Sequence, residues 1–136
     1  MNKYLRKAIE HYESNIAIFQ KNKQAYTDYA TELINAGVGE AAKFVMIRLR
    51  KDGISWFSAD CPLCERYAHY KHITACWMCP VWKDDHSGCH GTPWEDLSYI
   101  LNVKNQTPSV WMNLIEKAFI KELEYLKGLS TKKFWR

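Results

Sequence analysis

The sequence predicts a mainly α fold, a small helical bundle in which a long N-terminal helix packs with a C-terminal helix around an irregular insert between residues 55 and 92. Three observations lead there. Both ends of the chain carry apolar residues at alternating steps of three and four, the spacing that lines one face of a helix. Glycines and Thr-Pro pairs punctuate those stretches where helices stop and start. Between them all five cysteines fall from Cys61 to Cys89, in a stretch without sustained periodicity.

The first element rests on Leu5, Ile9, Tyr12, Ile16, Phe19, Lys23, Tyr26, Ala30 and Leu33, which form one stripe. Some thirty residues at ~1.5 Å each make a rod of roughly 45 Å, longer than a globule of this mass is wide. Its far end must therefore meet another helix or another chain, so a homodimer through this helix stands beside intramolecular packing. Lys23 in the seam, with tyrosines around it, predicts a half-wet contact. The helix is expected to stop at Asn35-Ala36-Gly37, with Gly37 in the left-handed conformation of a helix C-terminus and Gly39 as a second break.

The second element runs from Glu40 to Lys51, with Ala42, Val45, Met46 and Leu49 on one face and Lys43, Arg48 and Arg50 mostly on the others; Asp52-Gly53 ends it. Ile54-Ser55-Trp56-Phe57-Ser58 reads as a brief strand or an extended approach to the first cysteine. A third helix starts at Thr92-Pro93-Trp94-Glu95, where Thr92 suits the N-cap, Pro93 the first helical position and Glu95 a capping box, and runs to about Asn102. A polar turn leads to a second Thr-Pro start at Thr107-Pro108. Met112, Ile115, Phe119, Leu123 and Leu126 line the final helix, which Gly128 closes and which is expected to pack along the first.

At 136 residues the chain fits one domain: 1–53 helical, 54–92 the cysteine-bearing segment, 93–128 helical, and 129–136 a basic, aromatic tail. No run approaches the ~18 apolar residues of a bilayer span, and the first seven residues lack the apolar stretch of a secretion signal, so a cytoplasmic protein without a membrane partner is expected. The net charge of +4 permits nucleic-acid binding without indicating it.

Five cysteines cannot all pair within one chain, which disfavours a disulfide framework. Cys61-Pro62-Leu63-Cys64 and Cys76-Trp77-Met78-Cys79 are two Cys-x2-Cys units. Two residues between thiolates let both sulfurs reach one tetrahedral ion at ~2.3 Å, so two such units close a four-sulfur zinc site, with an iron–sulfur cluster as the alternative. Cys89, just before a helix N-terminus that favours a thiolate, makes several sets of four possible; Cys61, Cys64, Cys79 and Cys89 form an equally sound shell. His69, His72, His86 and His90 are expected at the surface or supporting the ligands. The zinc is structural in this reading, and the segment 54–92 is its binding insert.

Those two pairs, the Pro80-Val81 that follows the second, and Gly88-Cys89-His90-Gly91-Thr92-Pro93-Trp94 resemble a group of small zinc-binding proteins of unknown function encoded by tailed bacteriophages. The likeness covers residues 61–94. It implies a metal role for all five cysteines, a viral origin and residence in the cytoplasm of a bacterial host.

Three function classes follow. A non-enzymatic interaction module that binds and modulates a host or viral protein is favoured, because aromatic residues are enriched at binding hot spots. A nucleic-acid-binding protein is the alternative, with Arg48, Arg50, Lys51, Arg66, Lys71, Lys132, Lys133 and Arg136 as phosphate contacts and Trp77 or Trp135 as a stacking ring. The Arg48–Lys51 cluster is read in preference as a complement to the dipole at a helix C-terminus. Least favoured is a metal-dependent nuclease using Asp85, His86 and His90 beside Asp84; the expected second cysteine pair after the histidines is missing, and a four-sulfur site leaves zinc no open position for water. No catalytic residue is assigned.

Overall fold

The computed structural model describes residues 3–56 and 107–131. Three helices make up nearly all of them: α1 (Lys3–Asn35), α2 (Ala41–Lys51) and α3 (Pro108–Leu129). They form a small, mainly α bundle in which α1 is the central rod, with α2 and α3 both packed on it.

At 33 residues α1 is about 50 Å long. It buries Leu5, Ala8, Ile9, Tyr12, Asn15, Phe19, Tyr26 and Ala30. Ile16 and Leu33 are half-buried against the same core, and Lys23 lies at its edge. The predicted stripe is therefore covered within the chain. Its half-wet position is an ion pair: Lys23 Nζ donates to Glu116 Oε1 of α3 at 3.1 Å.

Register follows from these contacts. Glu116 meets Lys23, while Phe119, one turn further along α3, packs on Phe19 and Tyr12. As α3 advances it moves toward the start of α1, so the two run antiparallel. Phe119 is the centre of this seam, with ring centroids 5.9 Å from Phe19, 6.3 Å from Tyr12 and 5.4 Å from Trp56.

Both predicted glycine stops are present, built alike. Gly37 has φ +74°, its N–H donates to the Ile34 carbonyl, and the Val38 N–H donates to the Leu33 carbonyl. Gly53 has φ +94°, its N–H donates to Arg50, and the Ile54 N–H donates to Leu49. These paired bonds satisfy carbonyls that a helix end leaves open. At the second stop Leu49 and Ile54 are both fully buried, so the reversal is also fastened by apolar contact in the core.

Of the two readings of Ile54–Ser58, the strand is absent at Ile54–Trp56, and Phe57 and Ser58 lie outside the described residues. Two expectations need correction. Gly128 does not close α3; it lies inside the helix, which continues to Leu129 and ends where Ser130 Oγ donates to the Lys127 carbonyl at 2.6 Å and Thr131 Oγ1 to that of Gly128 at 2.8 Å. The buried face of α3 is also rotated from the predicted one. Trp111, Ala118, Glu122 and Leu129 join Met112, Ile115, Phe119 and Leu126, while Leu123 sits at the border, half-buried. The third predicted helix, Thr92 to Asn102, lies outside the described residues.

Candidate functional site

The cysteines Cys61, Cys64, Cys76, Cys79 and Cys89 lie outside the described residues. So do the histidines His69, His72, His86 and His90, the acids Asp84 and Asp85, and the bases Arg66, Lys71, Lys132, Lys133 and Arg136, with Trp77 and Trp135. What the structure builds is the stem that delivers the chain to Cys61.

That stem is Ile54-Ser55-Trp56, held at three successive residues. Ile54 is fully buried behind the glycine turn. Ser55 is gripped through its backbone by two side chains of α1. Asn15, with no exposed surface, donates from Nδ2 to the Ser55 carbonyl at 2.8 Å and accepts the Ser55 N–H on Oδ1 at 3.3 Å. His11 Nε2 lies 2.7 Å from the same carbonyl. A carbonyl can only accept, so Nε2 carries a proton, and the longer 3.4 Å approach of the Ser55 hydroxyl to that nitrogen is subordinate. Trp56 then inserts its ring edge-on against Phe119 at 69° between planes and is 2% exposed. An aromatic pair of this kind adds about 0.5–1.5 kcal/mol beyond its burial.

The chain returns at Thr107, whose carbonyl accepts the Trp111 N–H at 2.9 Å to open α3. From Glu116, opposite Lys23, the eight residues back to Pro108 span ~12 Å, which puts the start of α3 near residue 31 of α1. The stem meets α1 at His11 and Asn15. Departure and return are therefore separated by roughly 24 Å along α1.

The donor set of the cysteine segment suits zinc, since thiolate is a soft ligand and two Cys-x2-Cys units match its tetrahedral preference. Among the described residues no three His, Cys, Asp or Glu side chains come together in a way that could hold a metal ion. His11, the only histidine among them, has its Nε2 engaged with Ser55.

Polar chemistry also gathers at the C-terminus of α2. The Tyr26 hydroxyl donates to Asp52 Oδ2 at 2.7 Å, and burial, then the bond to this carboxylate, raises its pKa far above that of an ordinary phenol. Arg48 Nε stands 3.7 Å from Asp52 Oδ2, and its guanidinium lies 5.5 Å from the Tyr29 ring centroid. Arg48, Arg50 and Lys51 occupy the last turn of α2, where cations complement the helix dipole. Of the predicted phosphate contacts, then, Arg48 already has an acid and a ring for company.

Sequence reasoning missed Asn15 and His11. The one signal was a polar residue inside the apolar stripe, three after Tyr12 and four before Phe19. Among the described residues no helix is long and apolar enough to cross a membrane. No family model matches the chain, and neither the curated proteins nor the solved structures contain a match.

Proposed function

We propose that the chain is a zinc-stabilised, non-enzymatic interaction module that binds and modulates a protein partner. The observation that carries this reading is the anchored stem. Ser55 is pinned by Asn15 and His11 and Trp56 is sealed against Phe119, so the segment bearing Cys61, Cys64, Cys76, Cys79 and Cys89 departs from a fixed point five residues before its first thiolate. Four of those five thiolates hold the ion in this proposal. Zinc supplies a cross-link whose coupled folding free energy is on the order of 10 kcal/mol, comparable with the stability of a small domain. A segment cross-linked in this way and carried on a helical bundle suits recognition.

Catalysis is disfavoured by the donor set, because four sulfurs saturate tetrahedral zinc and leave no site for an activated water. Nucleic-acid binding is disfavoured by the charge, since the bases outside α2 are matched by equal numbers of acids. In this proposal, which here rests on the resemblance over residues 61–94 alone, the partner belongs to a bacterial host or its virus and the setting is that host's cytoplasm.

Elemental analysis of the natively purified full chain, together with recovery of the tagged chain from bacterial cells, tests the reading. One zinc per chain is expected, with a protein partner that is released by a strong chelator. A metal-free chain whose cooperative melt the chelator leaves unchanged overturns it. So does recovery of nucleic acid alone, released by moderate salt as counterions displace phosphate contacts.

A further inference from the structure

The formal charge of the whole chain equals that of one eleven-residue helix. Nineteen Lys and Arg stand against fifteen Asp and Glu; α2 contains four of the bases and no acid, so the remaining fifteen of each sign cancel. Glu40 and Asp52 flank the helix, at 3.9 Å from Lys43 and 3.7 Å from Arg48. Both are contacts near the outer limit of an ion pair.

The inner face of α2 buries Val45 and Leu49. Its outer face is not what charge alone requires. Phe44 is 42% exposed and Ile47 52%, two of the four large apolar side chains left exposed among the described residues. At 100° per residue, Ile47, Lys51 and Phe44 share an arc of about 60° opposite Val45 and Leu49, with Lys43 and Arg50 along one border and Arg48 along the other. An apolar pair is thus set in a frame of cations.

We infer that this face of α2 docks an acidic, amphipathic segment of a protein partner, whose apolar side chains cover Phe44 and Ile47 and whose carboxylates meet Lys43 and Lys51. The inference rests on the interaction-module reading and gives it a surface. Complementarity selects this occupant over others. A phosphate backbone answers the cations but leaves Ile47 facing charge, with nothing to gain from the contact. A bilayer surface calls for a long apolar face, and α2 has spent one of its faces on the bundle. A twofold pairing of α2 with its own copy would set four bases against four.

Fluorescence anisotropy of a labelled 18-residue helical peptide of Glu and Leu, titrated with the zinc-loaded full chain, reads the surface. Saturable binding is expected, weakened about tenfold or more both in the F44S/I47S variant and when Gln replaces Glu in the peptide. K43E/K51E should weaken it likewise, and circular dichroism of all variants should match the parent. Equal affinity of parent and F44S/I47S overturns the inference, as does tighter binding of a 20-nucleotide single strand or of phosphatidylglycerol vesicles through Phe44 and Ile47. A cellular partner retained in full by F44S/I47S removes this surface while leaving the module reading intact. Peptide capture by α2 in a chain that recovers no protein from cells removes the module reading and leaves the surface.

Discussion

Asn15 and Ser55, 40 positions apart, complete each other's amide hydrogen bonds: Asn15 Nδ2 donates to the Ser55 carbonyl while the Ser55 N–H donates to Asn15 Oδ1. Because Asn15 is wholly buried, its replacement by an apolar residue leaves the Ser55 N–H without its partner and the Ser55 carbonyl with His11 alone. Asn15→Leu should destabilise the fold by about 1–3 kcal/mol in urea melts followed at 222 nm. Asn15→Asp should be worse, since it loses the donor and sets a carboxylate against a carbonyl. Stability of Asn15→Leu equal to the parent would show that Ser55 is not held through this pair.

The glycines separate by conformation. Gly37→Ala and Gly53→Ala place a side chain at φ +74° and +94° and should each cost about 1 kcal/mol. Gly128 lies inside α3 with nothing within 4 Å of an added methyl group, so Gly128→Ala should stabilise by up to about 1 kcal/mol. Thermal melts of the three variants should divide two against one.

Alkaline stability should depend on Tyr26. Its raised pKa means that the native state holds the phenolic proton more tightly than the unfolded state does, so the associated stability is complete below the ordinary phenol pKa near 10 and is lost as pH rises beyond it. Tyr26→Phe should cost about 1 kcal/mol at neutral pH through the lost bond to Asp52. Urea midpoints between pH 8 and 11 should then fall less steeply for Tyr26→Phe than for the parent.

The seam ion pair should contribute little. Lys23 and Glu116 retain 31% and 22% side-chain exposure, which leaves solvent to screen them. A double-mutant cycle with Lys23→Met and Glu116→Gln should give a coupling of about 1 kcal/mol or less. A coupling of several kcal/mol would mark the pair as the organising contact of the seam.

Single Cys→Ser substitutions resolve the proposed ligand shell. Four of Cys61, Cys64, Cys76, Cys79 and Cys89 should each lower zinc content and the chelator-sensitive part of the melt, and the fifth should leave both near the parent value. Five equivalent losses would require an additional metal or a shell that exchanges ligands.

Much of the fold was legible because it is periodic. The steps through Leu5, Ile9, Tyr12, Phe19, Tyr26 and Ala30 identify the buried face of α1, and Gly37 and Gly53 mark turns that only a left-handed residue makes easily. Ala8 was not legible, since a small residue carries no preference strong enough to separate core from surface. The buried face of α3 was misjudged because Glu122, a carboxylate in a buried position, disguises its centre. For the candidate site the division is sharper. Cysteine spacing is a local signal on which the zinc proposal rests, outside the described residues, whereas the clamp on Ser55 joins residues separated by 40 and 44 positions, and no local pattern records such a pairing.

The aromatic seam has a consequence for biosynthesis. Phe19 waits one hundred residues for Phe119, and the intervening fifty residues between Trp56 and Thr107 take about 3–10 s to synthesise at ~5–20 residues per second. During that interval the nascent chain presents Leu5, Tyr12 and Phe19 without the helix that covers them. The growing polypeptide is therefore a natural client for ribosome-associated chaperones, and a chain truncated before Thr107 should aggregate rather than persist as a folded hairpin of α1 and α2.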